Sequence, residues 1–233
     1  MILFLSGGGN SKDSKELDKR FLDLLPNKKF LYIPVALEGE QNYSYRKCYE
    51  WIKDVFSILT SNSPNITMLT DLASANMDFL KSFDAIYIGG GNTYKLIGRM
   101  AESKFNKLLL AFVKNGKPVY GGSAGAIIFG KSIATVEEEN VNNSSSDQGL
   151  NLLKGFSVKC HYRNTKSEVD LINNFIKQRN GGVFALPEQT GLIITNTSIE
   201  VVGNKPAYVF SNKRRGSAKN IGKLIRTGSF VYL

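Results

Sequence analysis

Lys117-Pro-Val-Tyr-Gly-Gly-Ser-Ala-Gly-Ala-Ile127 reads as a short apolar strand, a glycine-rich turn around one serine, and the start of a helix. Gly121-x-Ser123-x-Gly125 fits the nucleophile-elbow pattern, in which a sharp turn lifts a serine hydroxyl above a sheet edge. Small neighbours suit the pattern because the turn is tight and a substrate carbonyl must approach the backbone. The Ala124 amide would open a helix and point at developing negative charge. An ordinary strand-to-helix turn carries the same letters, so the rest of the chain must decide.

On both sides of this stretch, strands and helices alternate. Strands are expected at Ile2–Leu5, Phe30–Val35, Ile66–Leu69, Ala85–Ile88, Val119–Gly121 and Val158–His161. Helices are expected at Ser14–Leu25, Tyr43–Thr60, Thr93–Met100, Lys104–Asn115 and Ser167–Arg179, with Gly116 as a C-cap before Pro118. Gly182–Leu233 reads as several short strands with turns. This alternation implies an α/β fold, a mostly parallel sheet with helices on both faces. Ligands in such sheets bind beyond the carboxyl ends of the strands. Glycine-rich loops at 7–9, 89–91 and 121–125 all fall at such ends.

The chain has 233 residues, of which 42% are hydrophobic, enough for one domain with a sizeable core. Met1–Leu5 is too short for a signal-peptide apolar region, and no membrane-length apolar run occurs, so a cytoplasmic location and no membrane partner are expected. Cys48 and Cys160 form no disulfide framework. The formal charge is +10, and seven Lys/Arg (Lys205, Lys213, Arg214, Arg215, Lys219, Lys223, Arg226) with no acid follow Glu200. With no accompanying nucleic-acid motif, this is read as a solvated basic C-terminal region rather than a nucleic-acid site.

His161 is the only histidine, so a multi-histidine zinc site is excluded and any serine–histidine couple must use it. It would take the Ser123 proton and return it to the leaving amine. Cys160 is its neighbour, but adjacent strand residues face opposite ways, which argues against a cysteine–histidine couple. A third, acidic group is expected to orient the imidazole. The run Glu137-Glu138-Glu139, together with Asp147, Glu168, Asp170 and Glu188, supplies the candidates, and pattern alone does not choose. Gly89-Gly-Gly-Asn92 lacks the phosphate-loop and dinucleotide signatures; its better use is a backbone amide, that of Gly91, paired with Ala124 as an oxyanion hole.

Ile86-Tyr-Ile-Gly-Gly-Gly-Asn-Thr-Tyr-Lys-Leu96, Tyr120-Gly-Gly-Ser-Ala-Gly-Ala126, Cys160-His-Tyr162 and Ala185-Leu-Pro-Glu188 together resemble the dipeptidase E family. These serine peptidases include aspartyl dipeptidases and, more distantly, cyanophycinases. The resemblance implies a class I glutamine amidotransferase-like fold with serine in place of cysteine at the elbow, and no metal or organic cofactor. It implies Ser123 as nucleophile, His161 as base, Gly91 and Ala124 as oxyanion amides, and Glu138 as the acid, with a slip to Glu137 or Glu139 open. The family's aspartyl dipeptidases carry Asp there, and Pro-His-Phe where this chain has Cys-His-Tyr-Arg. Asn92, and Arg163 by its charge, are the candidates for binding a small peptide substrate with an N-terminal aspartate. A β-aspartyl-arginine substrate and an inactive binding domain are the alternatives. A monomer or homodimer is expected.

Overall fold

In the computed structural model, residues 1–141, 146–211 and 223–232 are described. The chain opens with β1 (Ile2–Ser6), α1 (Ser11–Leu24), β2 (Lys29–Ile33), α2 (Tyr45–Ser57), β3 (Asn65–Met68), α3 (Met77–Lys81) and β4 (Ala85–Ile88). Next come α4 (Thr93–Glu102), α5 (Phe105–Lys114), β5 (Pro118–Gly122), α6 (Ala124–Ile127), β6 (Phe156–Lys159) and α7 (Lys166–Arg179). Short strands finish it: β7 (Gly182–Ala185), β8 (Thr190–Ile194), β9 (Ser198–Gly203), β10 (Ala207–Ser211), β11 (Lys223–Ile225) and β12 (Phe230–Tyr232).

The main sheet has the order β12-β9-β8-β1-β5-β4-β2-β3. From β1 to β3 every pairing is parallel, whereas β8 joins β1 antiparallel and carries β9 and β12 outward. A smaller sheet, β11-β10-β7-β6, stands beside it.

The alternation of side chains along a strand explains the layering. Leu3, Leu5, Leu31, Ile33, Ile86, Ile88 and Val119 face one way, packing with residues of α4, α5 and α6. Phe4, Phe30, Tyr32, Tyr87 and Tyr120 face the other, against Leu17 and Phe21 of α1 and Ile52 and Phe56 of α2. That second layer is an aromatic cluster, with the Tyr87 and Tyr120 rings stacked at 4.3 Å. The smaller sheet buries Val158, Phe184 and Ala207 in the first layer, and α7 covers its other face with Ile172 and Ile176. The expected parallel α/β architecture with helices on both faces is therefore present, in a class I glutamine amidotransferase-like arrangement.

Several boundaries differ from expectation. Helix α1 starts at Ser11 because Asn10 and Asp13 form a reciprocal capping box. Helix α2 is shorter than expected, starting at Tyr45 after the Ser44 cap. Strand β6 stops at Lys159, leaving Cys160 and His161 beyond it. Helix α3 and the single turns at Val35–Leu37 and Leu72–Ser74 are too short to produce a readable period. Of the basic C-terminal residues, Lys213, Arg214, Arg215 and Lys219 lie outside the described residues. Among the described residues, no helix is long and apolar enough to cross a membrane.

Candidate active site

Strand β5 delivers Ser123 to the carboxyl edge of the sheet, and the backbone there folds sharply. Ser123 has φ 48° and ψ −109°, a conformation costly for a residue with a Cβ and typical of functional turns. Both flanking glycines are obligatory for space. A Cβ on Gly121 would lie 2.3 Å from the Gly125 carbonyl oxygen, and one on Gly125 would lie 2.4 Å from that of Ile88. The Ser123 amide donates to the Ser6 carbonyl at 3.2 Å, anchoring the elbow to the end of β1.

His161 reaches the serine from the smaller sheet. Its own amide donates to the Gly7 carbonyl at 2.9 Å, and its backbone adopts φ 54°. The imidazole lies so close over Gly8 that a Cβ there would be 2.3 Å from Cε1. The ring sits between two partners: Nε2 is 2.8 Å from Ser123 Oγ, and Nδ1 is 2.9 Å from Glu188 Oε1. Glu188 lies in the connection between β7 and β8. That connection is fixed by the Leu186 amide donating to Lys159, the Tyr162 amide donating to Leu186, and the Gly7 amide donating to Thr190. The side chains of His161 and Glu188 are both about half exposed. Cys160 turns inward instead. Its buried thiol donates to the Ser6 and Ser123 carbonyls at 3.5 and 3.7 Å, and burial pushes its pKa well up, which keeps it a thiol rather than a thiolate.

The opposite wall is the Gly89–Asn92 loop. A Cβ on Gly90 would be 3.3 Å from Ser123 Cβ, so this loop borders the nucleophile. Gly91 has φ 131°, and a Cβ on it would be 2.5 Å from the Ala36 carbonyl oxygen. Neither the Gly91 nor the Ala124 amide donates to an acceptor among the described residues, whereas the Gly89 and Asn92 amides are taken up by Ile33 and Ala36.

Glu138 is not beside His161, where the sequence reading put it. Its carboxylate accepts from the Thr93 amide at 2.5 Å and from the Thr93 hydroxyl at 3.2 Å, capping the N-terminus of α4. Its neighbours do not replace it. Glu137 pairs with Lys159 at 2.9 Å, which together with the nearby Arg163 holds its pKa below the usual carboxylate range. Glu139 contributes its carbonyl to the Asn92 side-chain amide at 3.0 Å. Asn92 is thereby engaged at both ends, since its Oδ1 also caps α4 by accepting from the Lys95 amide. Both bonds brace the loop beside Ser123. Asp147 hydrogen-bonds Ser132 and Arg179, and Glu168 accepts from the Arg163 amide at 2.8 Å.

Ser123 and His161 open into a cleft of 290 Å³ that Lys159, Arg163, Glu137, Glu138 and Glu168 also line. Among the described residues, no group of three or more His, Cys, Asp or Glu side chains could hold a metal ion. Sequence reasoning names Glu188 only as one of several acids and gives Gly8 no role beyond a glycine-rich loop at a strand end. The one available signal was the Ala185-Leu-Pro-Glu188 string, whose acid follows a proline at the end of a strand.

The model of peptidase family S51 matches residues 2–202. Peptidase E of Nostoc sp. is 30% identical over 191 residues, covering 78% of this chain and 76% of the relative. Peptidase E of Shewanella denitrificans is 29% identical over 196 residues, covering 81% and 80%. Two solved structures share the fold, each with a TM-score of 0.66. One, from Listeria monocytogenes, is 23% identical and covers 88% of this chain and 98% of its own. The other, a peptidase from an acI-B1 actinobacterium, is 17% identical and covers 100% and 96%. The extent of the family match and the likeness to the Nostoc protein lead to one conclusion: this chain belongs to peptidase family S51.

Proposed function

We propose that this chain hydrolyses short peptides, including dipeptides with an N-terminal aspartate, using Ser123 as nucleophile, His161 as base and Glu188 as the group that orients it. The observation that carries the reading is the unbroken line Ser123 Oγ, His161 Nε2, His161 Nδ1, Glu188 Oε1, with steps of 2.8 and 2.9 Å. Both distances lie within the reach that proton transfer needs. With Nδ1 protonated and donating to Glu188, Nε2 is free to accept the serine proton.

Attack by Ser123 Oγ on the scissile carbonyl moves that proton to Nε2 and puts negative charge on the carbonyl oxygen. The free amides of Gly91 and Ala124 are the donors for that charge, and losing one such donor typically costs about 10²–10³ in rate. His161 returns the proton to the departing amine. Water then enters, loses a proton to His161 and attacks the acyl carbonyl; His161 passes that proton to the departing Ser123 Oγ, and the acid is released. Arg163, on the rim of the cleft, supports an acidic side chain on the substrate by charge. A cytoplasmic setting fits the two free, buried cysteines.

The test is a dipeptide library assayed with wild-type protein and Ser123→Ala, alongside labelling by a fluorophosphonate probe. The reading expects Ser123-dependent turnover and labelling. Turnover that survives Ser123→Ala in purified protein would overturn it.

A further inference from the structure

The catalytic cleft does not end at its charged wall. A second cavity of 100 Å³ adjoins it and shares Thr135, Val136, Glu137, Lys159 and Glu168 with it. Its remaining walls are Ala134 and the face of α7 that carries Leu171, Ile172 and Phe175. Leu171 is 54% exposed, although Ile172 beside it is buried. An apolar side chain left open beside a catalytic cleft, in a concave site, is the usual signature of a ligand surface. The size is informative: an apolar cavity of roughly 150 Å³ admits benzene, so this one suits a branched aliphatic side chain.

Lys159 stands between the two cavities. Only 14% of its side chain is exposed, and its ammonium is held by Glu137 at 2.9 Å. Two residues further on, the same chain supplies His161, the proposed donor to the leaving amine. Ser123, His161 and Lys159 line one cleft and Lys159 also lines the second cavity, so a residue released toward His161 has Lys159 and the apolar cavity within the space open to it. If that residue ended the substrate, its carboxylate would fall beside the Lys159 ammonium.

We infer that the cavity bounded by Leu171, Ile172 and Phe175 is a subsite for an aliphatic leaving residue, with Lys159 at its mouth taking that residue's free carboxylate. The substrate class is then dipeptides with an apolar C-terminal residue. This rests on the peptidase reading given above and deepens it.

Two measurements test it. The first is turnover by wild-type protein of paired dipeptides X-Leu and X-Gly, with X as Asp, Glu and Ala. The expected kcat/KM favours X-Leu by about tenfold or more, the scale on which apolar pockets discriminate. Leu171→Ser is expected to lower kcat/KM for X-Leu more than for X-Gly, chiefly through KM. Lys159→Gln is expected to raise KM for the free acid X-Leu but not for its C-terminal amide. The second is calorimetric binding of the same pairs to Ser123→Ala, which needs no turnover and is expected to show tighter binding of X-Leu. Equal Ser123-dependent turnover of X-Leu and X-Gly overturns the subsite and leaves the peptidase standing. No Ser123-dependent turnover of either overturns the peptidase reading. Equal or undetectable affinity of both for Ser123→Ala overturns the subsite in either case.

Discussion

Two glycine–glutamate pairs stand around the Ser123–His161 couple, one on the His161 side and one on the Gly91 side, yet they work differently. On the His161 wall, Gly8 is flat so that the imidazole can lie on it, and Glu188 bonds to the imidazole itself. On the Gly91 wall, the glycine frees a backbone amide, and Glu138 bonds to the backbone of α4 rather than to a reacting group. Both glycines supply room and a positive φ, 94° at Gly8 and 131° at Gly91. The carboxylates differ: the first bonds to the imidazole and the second holds a backbone turn in place. Residue type alone therefore does not set the role; what the backbone puts within 3 Å of the carboxylate does.

The largest effect should come from removing what both walls serve. Ser123→Ala is expected to lower kcat by about 10⁴–10⁶-fold, as loss of a nucleophile does in related chemistry, measured on any dipeptide the wild-type protein cleaves. Glu188→Gln should follow at about 10²–10⁴-fold, because the imidazole loses its orienting anion; a fall of less than threefold would remove Glu188 from the mechanism. Gly8→Ala is expected to cost about 10²-fold, the scale of a misplaced catalytic group. Gly8 also has φ 94°, which strains any side chain placed there, so circular dichroism of the variant separates a misplaced His161 from a lost fold.

Glu138→Gln sharpens the comparison. The amide can still accept from Thr93, so the loss should be only about tenfold or less, on the scale of weakening one charge-assisted hydrogen bond. The shape of its pH–rate profile should be unchanged, whereas that of Glu188→Gln should shift. An altered profile for Glu138→Gln would erase the distinction between the two glutamates.

The smallest effect on turnover is expected on the buried face of α1, at Asp18. This carboxylate is fully buried against the aromatic layer. One oxygen accepts from the Ser14 hydroxyl at 2.7 Å. Burial pushes its pKa up to about 6, against hydrogen bonding from Ser14 and Tyr120. The folded state thus holds this proton more tightly than the unfolded chain does. The associated stability is complete below about pH 4, falls as pH rises toward 6, and is gone above that. Asp18→Asn should therefore be more stable than wild type at pH 7.5, by roughly 1–3 kcal/mol, and should lose that advantage at pH 4. Urea unfolding at the two pH values measures it.

Much of this was readable from the sequence because the signals are local. A tight elbow needs Gly121 and Gly125 next to Ser123, and parallel strands buried on both faces give continuous apolar runs. The partner of His161 was not readable, because it is chosen by how the β7–β8 connection meets the end of β6, a matter of sheet assembly. The run at 137–139 misled for the same reason. Its acids lie near the site, but the backbone turns Glu138 toward α4 and Glu137 toward Lys159. The Gly8 contact depends on a residue more than 150 positions away and leaves no local trace.

The position of β1 in the main sheet has a consequence for biosynthesis. Strand β1 is made well before its two partners, β5 on one side and β8 on the other. Until residues near 118 and then 190 have been made, β1 has open edges, and open edges invite intermolecular pairing. The same late closure brings Glu188 to His161. A nascent chain that already contains Ser123 and His161 still lacks Glu188, so the proposed triad should be complete only after residues near 190 have been made, when β8 has paired with β1.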